Sequence, residues 1–299
     1  MELTWLMRAR IAAAMVTGIV LIGILGWPLA APADPLGPVR AGNLTVPGTM
    51  ILALLAGLAS VIAYFVCWPY GREMAVLATP SGLAIWAMRS GSIAELMQQN
   101  PAFSQCQALF ATLRWEALFW VAIVAVGFAA AILGKRISAE AEPTELQKKA
   151  KSNSTKYLNP LIGLVGSGLI ALFCLTILAH DIGVADVRLG TVWGQPPMGQ
   201  IVFAVVVSFG LAAFVVKKFL NVSQVWPVAA TALVTPFVIS TYVKEALLEH
   251  IVQNWPPTFF SNVAVSILPL QMVAFGTLGS ITGYWLAVRY NYRREHKAE

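Results

Sequence analysis

Two short polar segments carry the side chains of this sequence that are best suited to chemistry. They contain two imidazoles and three carboxylates, which can bind a divalent metal ion or transfer protons. The five residues are His180, Asp181, Glu245, Glu249 and His250. Glu245 and Glu249 are four residues apart, so they share one face of a helix. The sequence therefore predicts either a metal or proton site where the segments meet, or two solvated helix ends in which Lys244 neutralises an acid.

Two prolines within apolar runs mark a second place where function is expected. Pro236 lies in the middle of TALVTPFVIS, and Pro269 lies beside Gln271 in SILPLQMVAFG. A proline removes a backbone hydrogen bond and bends a helix. The freed carbonyl groups, together with Thr235, Ser240, Thr241 and Gln271, predict a polar cavity at mid-depth. The alternative is a bend that neighbouring Ser and Thr hydroxyls satisfy.

Small residues spaced four apart indicate helix faces that pack closely. Such pairs let two helix backbones approach each other. The residues are Ala53 and Gly57, Gly163 and Ser167, and Gly279 and Gly283, with Gly276 one turn before the last pair. We expect these faces to pack within the chain, and a contact with a second copy or another membrane subunit is the alternative.

These residues must be positioned by helices that cross a lipid bilayer. Of 299 residues, 58% are hydrophobic and 11% are charged, against about a quarter charged in soluble domains. Seven apolar runs approach or exceed the roughly 20 residues that span a hydrocarbon core, and they lack the period of two expected of a membrane barrel. The predicted spans are Ile11–Ala30, Gly48–Tyr70, Trp115–Gly134, Leu158–His180, Met198–Val216, Val225–Val243 and Val263–Val288. The sequence predicts an all-α, polytopic integral membrane bundle, one domain over 1–299 with no separate soluble domain.

The uncharged stretch Met74–Met88 decides between eight spans and seven. Its fifteen residues reach only about 22 Å as a helix, and Thr79-Pro80-Ser81-Gly82 is expected to interrupt the middle. Lys and Arg, however, concentrate on the cytoplasmic side of membranes. If the stretch crosses, 15 of the 20 basic residues lie inside; if it lies along the membrane, 13 do. The charge distribution therefore favours eight spans, with seven spans and a re-entrant or membrane-lying segment as the alternative.

Both arrangements place the polar loop 135–157 and the basic tail 289–299 in the cytoplasm. Eight spans also place the N-terminus there, and the short loops favour a bacterial inner membrane. The first apolar run, followed by Ala31 and Ala33 in AAPAD, resembles a cleavable signal peptide. Its length favours an uncleaved first helix.

The sequence favours a non-catalytic function. No Asp, Glu, Lys or Arg lies in the middle of a predicted span, so ion-coupled transport has no evident carrier. The basic residues flank apolar runs, which is an orientation signal rather than a nucleic-acid-binding pattern. We expect a structural, assembly or anchoring subunit of a membrane complex, without a cofactor, whose partners are the bilayer and other membrane subunits or a second copy. A permease for a small neutral or apolar solute is the first alternative, and a metal-dependent protein using the His and Glu residues is the second.

Overall fold

The structure, a computed structural model, describes residues 5–30, 37–137 and 158–295. Its helices are α1 (Trp5–Leu29), α2 (Val46–Val66), α3 (Ala78–Arg89), α4 (Ile93–Gln99), α5 (Phe103–Ile137), α6 (Leu158–Leu178), α7 (Met198–Leu220), α8 (Val225–Tyr242), α9 (Glu245–Asn254) and α10 (Pro269–Glu295). Strands β1 (Gly183–Asp186), β2 (Gly190–Gly194) and β3 (Phe259–Phe260) form an antiparallel sheet in that order. Most of the predicted polar loop and the last four residues of the tail lie outside the described residues.

Six of the described helices are long and apolar enough to cross a membrane. They are α1, α2, the Phe103–Gly134 part of α5, α6, α7 and α8. Each overlaps one of the predicted spans, which confirms the prediction of a helical membrane protein. The seventh predicted span, Val263–Val288, begins with a 3-10 turn and continues as α10. Gly, Ser, Thr and Gln make α10 less apolar than the other six helices.

The stretch Met74–Met88 is helical throughout its described length. A helical turn at Gly71–Met74 and a 3-10 turn at Ala75–Leu77 lead directly into α3, so the run reaches roughly 28 Å. The expected interruption at Thr79-Pro80-Ser81-Gly82 was wrong. Pro80 lies in the first turn of α3, where a missing backbone N–H leaves no helix hydrogen bond unmade. The change in helix geometry falls before it, at the 3-10 turn.

Helix α3 runs parallel to α1 along most of its length. Near one end, a Cβ atom on Gly18 would overlap the backbone of Ala78. Further along, the Trp86 indole donates to the Ile22 carbonyl at 2.8 Å, within a π-helical segment of α1. At the other end, the guanidinium of Arg89 lies 5.3 Å from the ring of Trp27.

Helices α3 and α10 form the interior of the bundle and pack against each other. Met74–Ala87 is buried except for Ile85, and Pro269–Ile281 is buried except for Leu278. Helices α1, α2 and α5 cover α3, while α5, α7 and α8 cover α10. The lower apolar content of α10 follows from this position, because a helix enclosed by protein does not face lipid.

The contacts between helices sort the described charges into two ends of the bundle. The Cys67 thiol donates to the Arg10 carbonyl at 3.2 Å, and Gly134 lies against Tyr64, so α1 begins where α2 and α5 end. This basic end contains Arg8, Arg10, Arg72, Glu73, Arg136, Lys217, Lys218, Arg289, Arg293 and Arg294. The opposite, acidic end contains Arg40, Arg89, Glu95, Arg114, Glu116, Asp181, Asp186, Arg188, Lys244, Glu245 and Glu249.

Candidate functional site

A small polar cap, formed by the β1–β2 hairpin, α9 and β3, covers part of the acidic end. The hairpin turn is closed by Asp186, whose Oδ1 accepts hydrogen bonds from the backbone N–H groups of Arg188 at 2.8 Å and Leu189 at 2.7 Å. An aspartate side chain commonly closes a turn in this way. Gly190, at φ +78°, completes the turn in a left-handed conformation that favours glycine.

The same carboxylate ties the hairpin to the segment that contains α9. Asp186 Oδ2 accepts from the Trp255 indole at 2.7 Å and lies 3.0 Å from His250 Nε2. The hydrogen bond from His250 is the main cause of a lowered Asp186 pKa, and the indole and turn N–H groups add to it against the opposing effect of burial. Asp186 is therefore ionised at neutral pH and holds one of the fixed charges of the cap.

His250 is held on both sides of its ring. Its Nδ1 lies 3.3 Å from the amide nitrogen of Asn254, which also donates to the His250 carbonyl at 2.9 Å. Because an amide nitrogen only donates, this geometry assigns the neutral-ring proton to Nε2, which donates to Asp186. The Asp186–His250–Asn254 network engages both ring nitrogens, so it acts as a structural tie between hairpin and helix.

His180 occupies a different position in the cap. Its ring stacks on Trp193 of β2, with centroids 3.6 Å apart and planes 4° from parallel. Its carbonyl accepts from the side-chain amide of Gln200 in the first turn of α7. Partial burial lowers the pKa of His180, so the neutral ring is favoured.

The structure does not gather the five predicted metal or proton ligands into one site. Asp181, Glu245 and Glu249 are exposed, and the Glu249 carboxylate accepts from Gln253 at 3.0 Å. Across residues 5–30, 37–137 and 158–295, no three His, Cys, Asp or Glu side chains are placed to hold a metal ion. Of the predicted five, only His250 has a carboxylate partner in this part of the chain, and that partner is Asp186.

No protein-family model, curated protein or solved structure matches this chain. Its function is therefore inferred from the contacts of its own residues, within the bundle as well as in the cap.

The residues predicted to line a polar cavity lie in two separate helices, α8 and α10. Gln271, at the start of α10 after Pro269, donates to Ser90 Oγ at 3.3 Å and to the Gly91 carbonyl at 3.2 Å. It thereby joins α10 to the end of α3. Thr235 and Pro236 lie in α8, where the Thr235 hydroxyl is buried without a described hydrogen-bond partner.

The predicted small-residue faces lie against helices of the same chain. A Cβ on Gly279 would overlap the Val206 carbonyl, and one on Gly283 would overlap the Gly210 carbonyl. Gly276 faces Thr231 and Phe209, Gly163 faces Val216 and Val222, and Gly57 faces Val126 and Ala130. Ser167 is fully buried, whereas Ala53 is half-buried. The closest backbone approach in this set is therefore between α7 and α10.

Glu116 is a buried carboxyl group that the predicted sites did not include. Helix α5 begins at Phe103, twelve residues before the predicted start at Trp115, so Glu116 lies within the helix rather than at its end. Its Oε1 accepts from the backbone N–H of Ala41 and from the Trp120 indole at 3.4 Å. These contacts hold the loop before α2 against α5.

Two cavities lie at the periphery of the bundle. One, of about 240 Å³, is an apolar groove between α6 and α8, with Leu169 and Phe237 in its walls. The other, of about 200 Å³, lies between α5 and the end of α8 and contains Arg114 and Lys244. Ser240 lines the second cavity, and neither cavity is lined by Thr235, Pro236, Pro269 or Gln271.

Proposed function

We propose that the chain is a non-catalytic integral membrane protein with eight spans, acting as a structural or anchoring subunit of a membrane complex. The observation that carries this proposal is the backbone contact at the centre of the bundle. Where α10 meets α7, Gly279 and Gly283 leave no room for a Cβ atom. A centre in which backbones touch is suited to holding helices in fixed positions.

The proposed eight spans are the six apolar helices together with α3 and α10. Support comes from α3 running beside α1 from Ala78 to Arg89, and from α10 running parallel to α7. The partner helices α1 and α7 are long enough to cross a bilayer, and the contacts lie at Gly18 to Trp27 of α1 and at Val206 and Gly210 of α7. In this arrangement the lipid-facing helices enclose two less apolar ones.

The proposed orientation has the basic end in the cytoplasm of a bacterial cell and the cap on the opposite side. The asymmetry of the described Lys and Arg residues supports it, since positive charge accumulates on the cytoplasmic side. Both chain termini then face the cytoplasm, because α1 begins and α10 ends at the basic end.

We further propose that the β1–β2 hairpin is the contact surface for a partner subunit. The hydrogen bonds of Asp186 fix the hairpin on α9. Val187, in the turn of the hairpin, is fully exposed. Ile182 and Val184, on the same hairpin arm, are also exposed. An apolar tip held rigidly outside the bundle is a feature typical of contact surfaces.

Isolation of the protein from its native membrane in a mild detergent tests this function. We expect a partner at a fixed stoichiometry, and a Val187→Asp variant that loses most of it while remaining folded. Val46→Asp is the matched control, since Val46 is an exposed valine at the same end of the bundle. Recovery of a monomer without a partner, or equal retention by both variants, would contradict the proposal.

A permease remains the second candidate because several buried hydroxyl groups in the described helices have no hydrogen-bond partner. They belong to Ser81, Ser167, Ser208, Thr235, Tyr242, Thr277 and Ser280. Such groups suit a route for a neutral polar solute. Thr235→Val would then reduce uptake of small neutral solutes into proteoliposomes, whereas Thr176→Val, on the exposed surface of α6, would not. Equal uptake by wild type and both variants would remove this candidate.

A further inference from the structure

A cavity with two cationic side chains lies at the acidic end, between α5 and the junction of α8 with α9. Its volume is about 200 Å³, and it is lined by Phe110, Ala111, Arg114, Ser240, Val243 and Lys244. Phe110 is fully buried and packs edge-on against Tyr242 at 5.0 Å, which makes a rigid apolar floor. Arg114 and Lys244 are exposed at its mouth.

Neither cation is neutralised by a carboxylate within the described part of the chain. The guanidinium of Arg114 lies 5.0 Å from the ring of Trp115, which is an aromatic contact rather than an ion pair. The nearest carboxylate along α5, Glu116, is turned towards Ala41 and Trp120. Glu245 follows Lys244 in sequence but does not line the cavity. Two unpaired cations at one opening favour an anionic ligand.

The local backbone adds to this preference. Lys244 immediately precedes α9, a helix of ten residues whose first turn has no side-chain cap. The free N–H groups at a helix start carry partial positive charge and favour anions. The carboxylate in this first turn, Glu245, is exposed and does not line the cavity, so the two cations remain the charged groups at its opening.

The surroundings of the cavity point to lipid. Trp115 and Leu118 of α5, one turn or less from the cavity residues Ala111 and Arg114, are exposed. Aromatic rings such as that of Trp115 favour the headgroup level of a membrane. In a bilayer, these exposed residues would continue the cavity into the acyl-chain region.

We propose that this cavity binds the phosphate of an anionic phospholipid headgroup. Arg114 donates from its planar guanidinium to two phosphate oxygens, and Lys244 contributes a point charge from the other wall. The acyl chains then lie along the exposed apolar face of α5 at Trp115 and Leu118. The lipid site requires neither the partner subunit nor a transport route, so its test is independent of the proposed function.

Native mass spectrometry of the full chain, released from nanodiscs with equal amounts of phosphatidylglycerol and phosphatidylcholine, tests the proposal. Wild type retains phosphatidylglycerol preferentially, and the Arg114→Gln, Lys244→Gln double variant retains about fivefold less. Arg188→Gln is the matched control, because it removes an exposed cation at the same end but outside the cavity. It retains phosphatidylglycerol as wild type does.

Binding of inorganic phosphate to the delipidated protein shows whether the cavity takes its phosphate group from a phospholipid or from a soluble compound. If millimolar phosphate binds delipidated wild type but not the double variant, the cavity takes a soluble phosphate compound and the lipid assignment is wrong. Equal lipid retention by wild type, double variant and control, without phosphate binding, overturns the proposal. If the double variant does not fold, loss of wild-type lipid preference at high salt supports the site, because salt screens exposed charges, and unchanged preference overturns it.

Discussion

The centre of the bundle and the cap are held together by opposite means. At the centre, α7 and α10 meet through glycines, so the contact depends on the absence of side chains. In the cap, one carboxylate accepts hydrogen bonds from the hairpin turn, an imidazole and an indole. The centre is therefore sensitive to added volume, and the cap is sensitive to lost charge.

The surroundings of the two regions explain this difference. Between helices in lipid there is little hydrophobic driving force, so close packing and hydrogen bonds must supply the stability. The cap lies on a polar surface where hydrogen bonds to a charged group are stronger than those between neutral groups. Each region uses the interaction that is effective in its own environment.

Adding one methyl group at the centre should give the largest effect. In Gly283→Ala, the new Cβ meets the Gly210 backbone, which cannot rotate away as a side chain can. We expect a loss of about 3 kcal/mol or more in the free energy of unfolding, measured by denaturation in detergent. The control is Gly199→Ala in α7, where nothing lies within 4 Å of the added atom. Equal stability of the two variants would show that α7 and α10 are not in backbone contact.

Removing the indole donor between α1 and α3 should have the next largest effect. Trp86→Phe leaves the Ile22 carbonyl without its 2.8 Å hydrogen bond in a fully buried place. Loss of this buried hydrogen bond, together with the volume of the indole, destabilises by about 1–3 kcal/mol, which thermal unfolding can detect. Trp5→Phe, at a residue that is 82% exposed, is expected to unfold as wild type does. A normal melting temperature for Trp86→Phe would contradict the described contact between α1 and α3.

Neutralising the carboxylate should loosen the cap and leave the bundle intact. Asp186→Asn weakens the hydrogen bonds from His250 and from the hairpin turn. We expect roughly tenfold faster hydrogen exchange in the hairpin, with unchanged exchange in α7 and α10. Asp181→Asn is the control, since Asp181 is exposed and lies outside this network. Faster exchange throughout the bundle would mean that the two regions are not independent.

The smallest predicted effect is a pH dependence of the cap. Burial lowers the pKa of His180 in the folded cap, so the open form binds its proton more strongly. The cap therefore has its full stability above a pH of about 6.5, the pKa of histidine in the open form. It loses stability as the pH falls towards the lower pKa that His180 has in the folded cap. Hairpin exchange, corrected for intrinsic rates, should rise about threefold from pH 7.5 to 5.5, and His180→Gln should reduce this rise. A rise of the same size in His180→Gln would exclude His180 as its cause.

The sequence was a good guide to the helices that face lipid. Long apolar runs predicted all six candidate spans, because a helix in contact with hydrocarbon must be apolar over most of its surface. It was a weaker guide to α3, whose Pro80 and Gly82 suggested a break. Those residues suit a buried helix start and a close contact with α1, which composition alone does not distinguish from an interruption.

The cap shows where prediction from sequence stops. ADVRLG contains an aspartate and a glycine at spacings typical of a turn, so the hairpin was open to prediction. The partner of Asp186, His250, is 64 residues away, and no local pattern joins them. Glu116 was similarly hidden, because its burial depends on the distant Ala41.

Cysteine labelling on the two sides of α3 tests the proposed eight spans most directly. Arg72→Cys and Arg89→Cys would each be made in a chain whose Cys67, Cys106 and Cys174 are replaced by serine, since both arginines are exposed. With an impermeant maleimide on intact cells, residue 89 is expected to react at once and residue 72 only after the membrane is opened. Labelling of both positions from the same side would show that α3 does not cross, and the proposed arrangement would be wrong.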